Sequence, residues 1–171
     1  MTVSNAGLTV ERVRSLLAYD SERGHLYWLA NRRGGASAGD RFGKQCKNGY
    51  RLGKVDQKHL YEHRLIWFIV HGEWPPQTID HVNRIRDDNR LSNLRLATYS
   101  QNNANRDQDR SDGRRGVTWH KKCGKWQSSI QIEGKFRHLG LFSSIEEAGA
   151  ARDAAARAFY GEFAFFKEPK P

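Results

Sequence analysis

Apolar positions along this chain recur at two periods, helical and alternating, and the changes of period mark out its elements. Val13, Leu16 and Leu17 share one helical face of residues 8–17, with Thr9 placed to cap the start. Residues 25–29 carry Tyr27 and Trp28 and read as a strand, and 32–39, rich in Gly, Ala and Ser, as a loop. Residues 50–55 and 59–62 flank Asp56-Gln57-Lys58, which predicts a hairpin. Residues 63–71 contain Leu65, Ile66, Phe68, Ile69 and Val70, a helix apolar around most of its girth, stopped by Gly72 and Pro75-Pro76. A helix of that kind belongs in a core.

The pattern then shortens. Residues 79–82 form a predicted apolar strand, 84–90 a polar loop and 94–97 a return strand. Thr98 and Gln101 match a capping box, so a helix should start there with Asn102 in its first turn. Between 105 and 113 apolar residues nearly vanish and Arg and Asp alternate, the signature of a linker. Beyond it, 116–120, 125–132 and 137–142 read as three strands joined by turns at Lys122-Cys123-Gly124 and Glu133-Gly134-Lys135. Ser144 and Glu147 make a second capping box, opening an Ala-rich helix that ends at Gly161.

Composition narrows the partners. The chain has 171 residues, 37% of them hydrophobic, enough for one medium domain or two small ones. Its formal charge of +10 favours a polyanion. No run approaches the roughly 18 apolar residues of a membrane span, and residues 1–8 lack the basic and apolar regions of a secretion signal. Nucleic acid is the expected partner, no membrane is, and an intracellular location, in a bacterial or phage-infected cell, is expected with it. Cys46 and Cys123 lie far apart, outside any C-x-x-C pair, and read as free thiols without a function.

Candidate chemistry sits at Asp80-His81, with Asn93 twelve positions on (93 − 81) and Asn102 nine further (102 − 93). Phosphodiester hydrolysis needs an activated water, a cation on the phosphate and relief for the leaving oxygen. A neutral histidine suits proton abstraction near pH 7, and a magnesium-type cation takes one or two protein oxygens beside water and substrate phosphate. Asp80 and Asn102 each offer such an oxygen. Neighbouring strand residues point to opposite faces, so Asp80 and His81 flank one phosphate only if the strand end twists. Singly each residue suits a structural role, and Asn89 reads as a loop residue; together, in the order strand, loop, strand and capped helix, they point to catalysis.

Asp80-His81-Val82-Asn83, Asp88-Asn89-Arg90, Ser92-Asn93-Leu94-Arg95 and Gln101-Asn102-Asn103 resemble the HNH endonucleases, closest to the phage homing branch with a ββα-metal fold. The resemblance implies that His81 is the general base, that Asn93 hydrogen-bonds and orients it, and that Asp80 and Asn102 bind a single divalent metal. The family's last position is often His; Asn102 there implies Mg2+ or Mn2+, one per active site, over zinc or nickel. His63 and Arg64 precede the buried helix as in this branch and read as structural.

Alternation gives the C-terminal strands two faces. Val117, Trp119, Trp126, Ser128, Ile130, Ile132, Leu139 and Leu141 are expected inward, under a helix face of Ala148, Ala151, Ala155, Ala156 and Phe159. The other face is expected open, polar and basic, flanked by Arg114, Arg115, Lys121 and Lys122, a surface that fits a major groove. Arg115-Gly116-Val117, Gly124-Lys125-Trp126, Leu139-Gly140-Leu141-Phe142, Glu146-Glu147-Ala148 and Tyr160-Gly161 resemble the APETALA-two (ethylene-response-factor) domain, which reads DNA with a three-stranded sheet. By position, that resemblance with Lys122 of the flanking turn implies a DNA-facing set of Arg115, Thr118, His120, Lys122, Lys125, Ser129, Gln131 and His138.

The expectation is an α+β protein: a ββα-metal (HNH) nuclease core with an N-terminal α/β extension over 1–104, a linker at 105–113, and a three-stranded antiparallel sheet packed on one helix over 114–167. The expected activity is homing-type, metal-dependent hydrolysis of double-stranded DNA, one strand nicked per active site, leaving 5′-phosphate and 3′-hydroxyl ends. A monomer is expected rather than an obligate oligomer. The alternative is a DNA-binding transcriptional regulator with an inactive nuclease core. An RNA-binding role lacks the base-stacking aromatic run such a sheet would carry.

Overall fold

The computed structural model describes residues 7–33, 35–106 and 114–166. Of the expected linker, residues 107–113 lie outside the described residues, as do 1–6 of the N-terminal segment. Among the described residues, four helices and several small antiparallel sheets make a mixed α/β chain that divides into two compact units, Met1–Leu96 and Ala97–Pro171. Among the described residues no helix is long and apolar enough to cross a membrane.

The first unit begins with α1 (Val10–Arg14), capped by the Thr9 side chain, which accepts the Arg12 N–H. The helix is shorter than the apolar period implies. Leu17 leaves it to begin β1 (Leu17–Asp20), which pairs antiparallel with β2 (His25–Trp28) in the register Leu17↔Trp28 to Asp20↔His25. Pairing with a neighbouring strand outweighs one more turn of a short helix whose propensity is weak. A second sheet has the order β3 (Lys44–Gln45), β4 (Arg51–Val55), β5 (Lys58–Tyr61). Its β4–β5 hairpin turns on two residues, Asp56 and Gln57, both at positive φ (42° and 68°), the backbone a two-residue turn needs to match strand twist.

Helix α2 (Glu62–His71) follows directly and ends at Gly72, whose φ of 78° supplies the left-handed cap. Glu62, His63, Leu65, Ile66, Phe68 and Ile69 are buried, Arg64 and Trp67 half-buried and Val70 exposed, so most of the girth is covered. Val13, Leu17, Leu26, Phe42, Val55, Leu65 and Ile66 fill that core, with Trp28 tilted on Phe42 at 5.7 Å and Phe68 stacked on Trp74 at 4.1 Å. Arg14 Nε donates to the Ile69 carbonyl at 3.1 Å, near the C-terminal end of α2 where a cation is favoured. Strands β6 (Thr78–His81) and β7 (Leu94–Ala97) pair with each other, joined by a loop and a 3-10 turn at Leu91–Asn93.

The second unit starts with α3 (Tyr99–Ala104), closed at its N-terminus by the complete Thr98/Gln101 capping box. Its sheet has the order β10 (Lys135–Phe142), β9 (Lys125–Ile132), β8 (Val117–His120). Helix α4 (Ile145–Tyr160), opened by the Ser144/Glu147 box, covers one face. Ser128, fully buried, donates its hydroxyl to the Ala148 carbonyl at 2.8 Å. Close approach is possible because Ala148, Gly149 and Ala156 present almost no side chain.

Two inward assignments change. The register shifts between His138 and Gly140, a bulge that takes Leu139 toward Ile130 and Ile132 and turns Leu141 onto the open face, opposite Gln127. One extra residue inverts the alternation beyond it. Phe159 also lies outside the packed face; half-exposed, it has the Arg137 guanidinium over its ring at 5.4 Å. Trp119 stays on the helix side, paired with Trp126, yet is about half-exposed at the sheet edge.

Gly53 on β4 marks tight packing in the second sheet, since a Cβ there would stand 2.4 Å from Cζ of the fully buried Phe42. Gly53→Ala should therefore lower stability by about 1–3 kcal/mol, seen as a lower urea midpoint; an unchanged midpoint would show that Phe42 can shift at little cost.

Candidate active site and nucleic-acid interface

Strand β6 carries Ile79, Asp80 and His81, all buried, to the point where the chain leaves the sheet. Pairing continues one residue past it, through the Val82 N–H to the Asn93 carbonyl at 2.9 Å. The following loop is held by its own polar side chains. Asn93 Oδ1 accepts the Asn83 N–H at 2.9 Å, and its Nδ2 donates to the Asp88 carbonyl at 2.7 Å. Asp88 takes donors from Asn83 Nδ2 at 2.7 Å and from Arg90 Nε at 2.8 Å. Those bonds, Arg90's first, pull its carboxyl down to about 2. Arg84 sits at φ 65°, the left-handed position of the turn.

His81 Nε2 lies 2.9 Å from Asn89 Oδ1. Asn93, expected to orient the histidine, instead engages both ends of its amide with loop backbone, and Asn89, read as a plain loop residue, meets the ring. Asn89 is fully buried, and its Nδ2 donates to Glu62 Oε2 at 2.9 Å. The His63 ring meets His81 edge-on at 5.3 Å and Tyr50 packs on it at 5.8 Å. Burial pushes the His81 pKa below 6.5, outweighing the bond to Asn89 and the Asp80 charge, which raise it. His63 falls further, through burial first and then the charges of His81 and Arg64. Both imidazoles are accordingly neutral at pH 7.

Asp80 Oδ2 accepts Arg95 Nε at 2.9 Å, an ion pair between side chains 5% and 14% exposed. A carboxylate has about four lone-pair sites on its two oxygens, so this pairing is compatible with one metal ligand. Asn102 stands in the first turn of α3, half-buried, its N–H on the Thr98 carbonyl at 2.9 Å. Carboxylate and amide oxygens are each hard donors, the chemistry that Mg2+ or Mn2+ takes. Among the described residues no group of three or more His, Cys, Asp and Glu gathers into a ready metal cluster.

On the C-terminal sheet, Thr118, His120, Lys125, Ser129, Gln131 and His138 share the open face, as their cross-strand partners show. Lys122 is exposed in the turn before β9. Arg115 does something else. Its guanidinium donates to the carbonyls of Asn103 and Ala104 at 3.1 Å, closing the C-terminal end of α3. Arg114 stays exposed, with its side chain lying across Gly149 of α4 in the space a Cβ there would take. Gln127, 3.4 Å from His138 Nδ1, and Phe136, 77% exposed, lie on the open face as alternation places them, outside the DNA-facing set. Alternation does not place Leu141 there; the bulge moved it.

A family model described as HNH endonuclease matches residues 60–104. Among curated proteins, the chain is similar to Protein 3.8 of Escherichia phage T7, 30% identical over 117 residues that span 67% of this chain and 93% of that protein. It is also similar to an uncharacterised HNH endonuclease of Acanthamoeba polyphaga mimivirus, 29% identical over 120 residues, 69% of this chain and 62% of that one. No solved structure matches.

The lowered His81 and His63 values have a consequence for stability. Below pH 6.5 the unfolded chain binds protons that the folded state refuses, so stability is full above that pH and declines as pH falls. His25, also lowered chiefly by burial, adds in the same direction. Urea midpoints taken from about pH 7.5 down to about 5.5 should decrease, and His63→Phe should flatten the slope. An equal slope in that variant would assign the dependence elsewhere.

Proposed function

We infer that this chain, which belongs to the HNH endonuclease family, is a homing-type, metal-dependent endonuclease that cuts duplex DNA. The observation that carries the reading is a buried, neutral His81 beside the buried carboxylate of Asp80 at the end of one strand. His81 takes the proton from the attacking water, a role worth about 10²–10⁴ in rate. As the resemblance implies, Asp80 and Asn102 would hold Mg2+ or Mn2+, which would supply positive charge at the scissile phosphate. Asn93 keeps the loop after β6 in one shape, so that the His81 backbone does not drift. One such site per chain nicks one strand, and a double-strand break takes a second event.

The C-terminal sheet anchors the protein on DNA, in the manner its resemblance to the APETALA-two domain implies. Thr118, His120, Lys125, Ser129, Gln131 and His138 on the open face, with Lys122 at the turn, make the contacts. Arg115 ranks last in that set because its guanidinium already serves the α3 carbonyls. The +10 charge of the chain supports a polyanionic partner. A protein of this activity works where DNA is, inside a bacterial or phage-infected cell. The rival reading, a regulator with an inactive core, is disfavoured by the presence of all four expected residues, Asp80, His81, Asn93 and Asn102.

Supercoiled plasmid incubated with protein and Mg2+ or Mn2+ should be nicked, and chelator should stop it. His81→Ala should slow cleavage by about 10²–10⁴-fold while plasmid binding persists. Tight, salt-sensitive binding without cleavage by the wild type would establish the regulator instead. For the anchor, Lys125→Ala should weaken duplex binding and reduce the salt slope by about one; an unchanged slope would remove that lysine from the interface.

A further inference from the structure

Glu62, the first residue of α2, is fully buried with both carboxylate oxygens facing N–H donors. Oε1 accepts the Leu26 N–H at 2.9 Å; Oε2 accepts Arg41 Nη2 at 3.0 Å and Asn89 Nδ2 at 2.9 Å. Burial raises the Glu62 pKa, while the Leu26 N–H and the charges of Arg41 and Arg51 hold the ionised form, which acts only as acceptor. That settles which way the Asn89 amide lies. Its NH2 must face Glu62, and its oxygen must face His81, where it stands 2.9 Å from Nε2. An acceptor at that distance calls for a proton on Nε2. A neutral imidazole carries one N–H, so the basic lone pair is on Nδ1.

We propose that Glu62 and Asn89 are positioning residues that lock His81 in the Nε2–H tautomer and make Nδ1 the atom that accepts the proton from water. This rests on His81 being the base of the proposed endonuclease. The lock is stiff at each joint. The Asn89 carbonyl accepts the Tyr19 hydroxyl at 3.2 Å, and Arg51 stands 3.7 Å from Glu62 as a further counter-charge. Tyr50 and His63 pack against the imidazole and restrict its tilt. In the other tautomer Nε2 would set its lone pair against the Asn89 oxygen, and the amide could not turn over without presenting its oxygen to the Glu62 carboxylate. Neither residue touches substrate; both act through His81.

The test is a ¹⁵N–¹H correlation spectrum of the imidazoles in the metal-free, full-length protein near neutral pH. The chain has seven histidines, and the His81 signals are those missing from His81→Ala. The expected wild-type pattern is a pyrrole-type Nε2 with a pyridine-type Nδ1. Asn89→Ala should show mixed tautomers, with kcat for plasmid nicking down about 10–100-fold and KM within about twofold. A pyrrole-type Nδ1 in the wild type would overturn the proposal even where the variant fails to fold. So would an Asn89→Ala protein that keeps both tautomer and rate. A wild type with the Nε2–H pattern that cuts no DNA would support the lock and sink the endonuclease reading, which tells the two failures apart.

Discussion

The carboxylate of Glu62 is the constraint on which the first unit depends. A charged group without solvent must be paired and hydrogen-bonded, and removing one partner of such a site costs about 3–5 kcal/mol. Glu62 meets that requirement by drawing donors from three places, the backbone of β2 at Leu26, the segment before β3 at Arg41 and the loop after β6 at Asn89, with Arg51 of strand β4 as a counter-charge at 3.7 Å. Arg41 and Arg51 in turn share Asp87 at 2.8 Å and 3.1 Å, which ties the same loop down a second time. The N-terminal α/β extension is therefore part of the scaffold that shapes the loop after His81.

From this follows the economy of the loop itself. Asn83, Asp88, Arg90 and Asn93 satisfy one another and the backbone between them, so the loop is shaped by short local hydrogen bonds while Asn89 alone among its asparagines is fully buried. Asp88 stays ionised far into acid because Arg90 and Asn83 both donate to it. Its contribution to stability is present above the usual carboxylate range and is lost only as pH falls toward about 2. That window is separate from the one in which the buried histidines act.

The second unit solves a different problem. A three-stranded sheet with one helix has little apolar area to bury, and it compensates with closeness: Ser128 bonds the Ala148 carbonyl, and the small residues of α4 admit the sheet. Arginine is drawn into packing at one of the positions that sequence would assign to a basic surface. Arg115 closes the end of α3, while Arg114, lying across Gly149, stays exposed with Lys121, Lys122 and Lys125. The exposed Phe136 and Leu141 make that face more apolar than alternation alone suggests.

What the sequence determined by itself is what short-range rules govern. Both capping boxes, the Asp56-Gln57 turn, the glycine stop at Gly72 and strands β6 to β9 depend on neighbours within a few positions. Asp80 and His81, adjacent in sequence, were legible for the same reason, and so was a buried α2. Tertiary structure decided the rest. Residues 16–17 look helical until β2 offers Leu17 a partner, the bulge at Leu139-Gly140 inverts Leu141, and Arg115 looks free until α3 presents its carbonyls. The division of labour between Asn89 and Asn93 belongs here too. Both are asparagines in one polar loop, and only the arrival of Glu62, 27 positions away (89 − 62), gives one of them a buried carboxylate to face. An amide's role is set by which partner lies at each end, and for Asn89 that partner comes from a distant part of the chain.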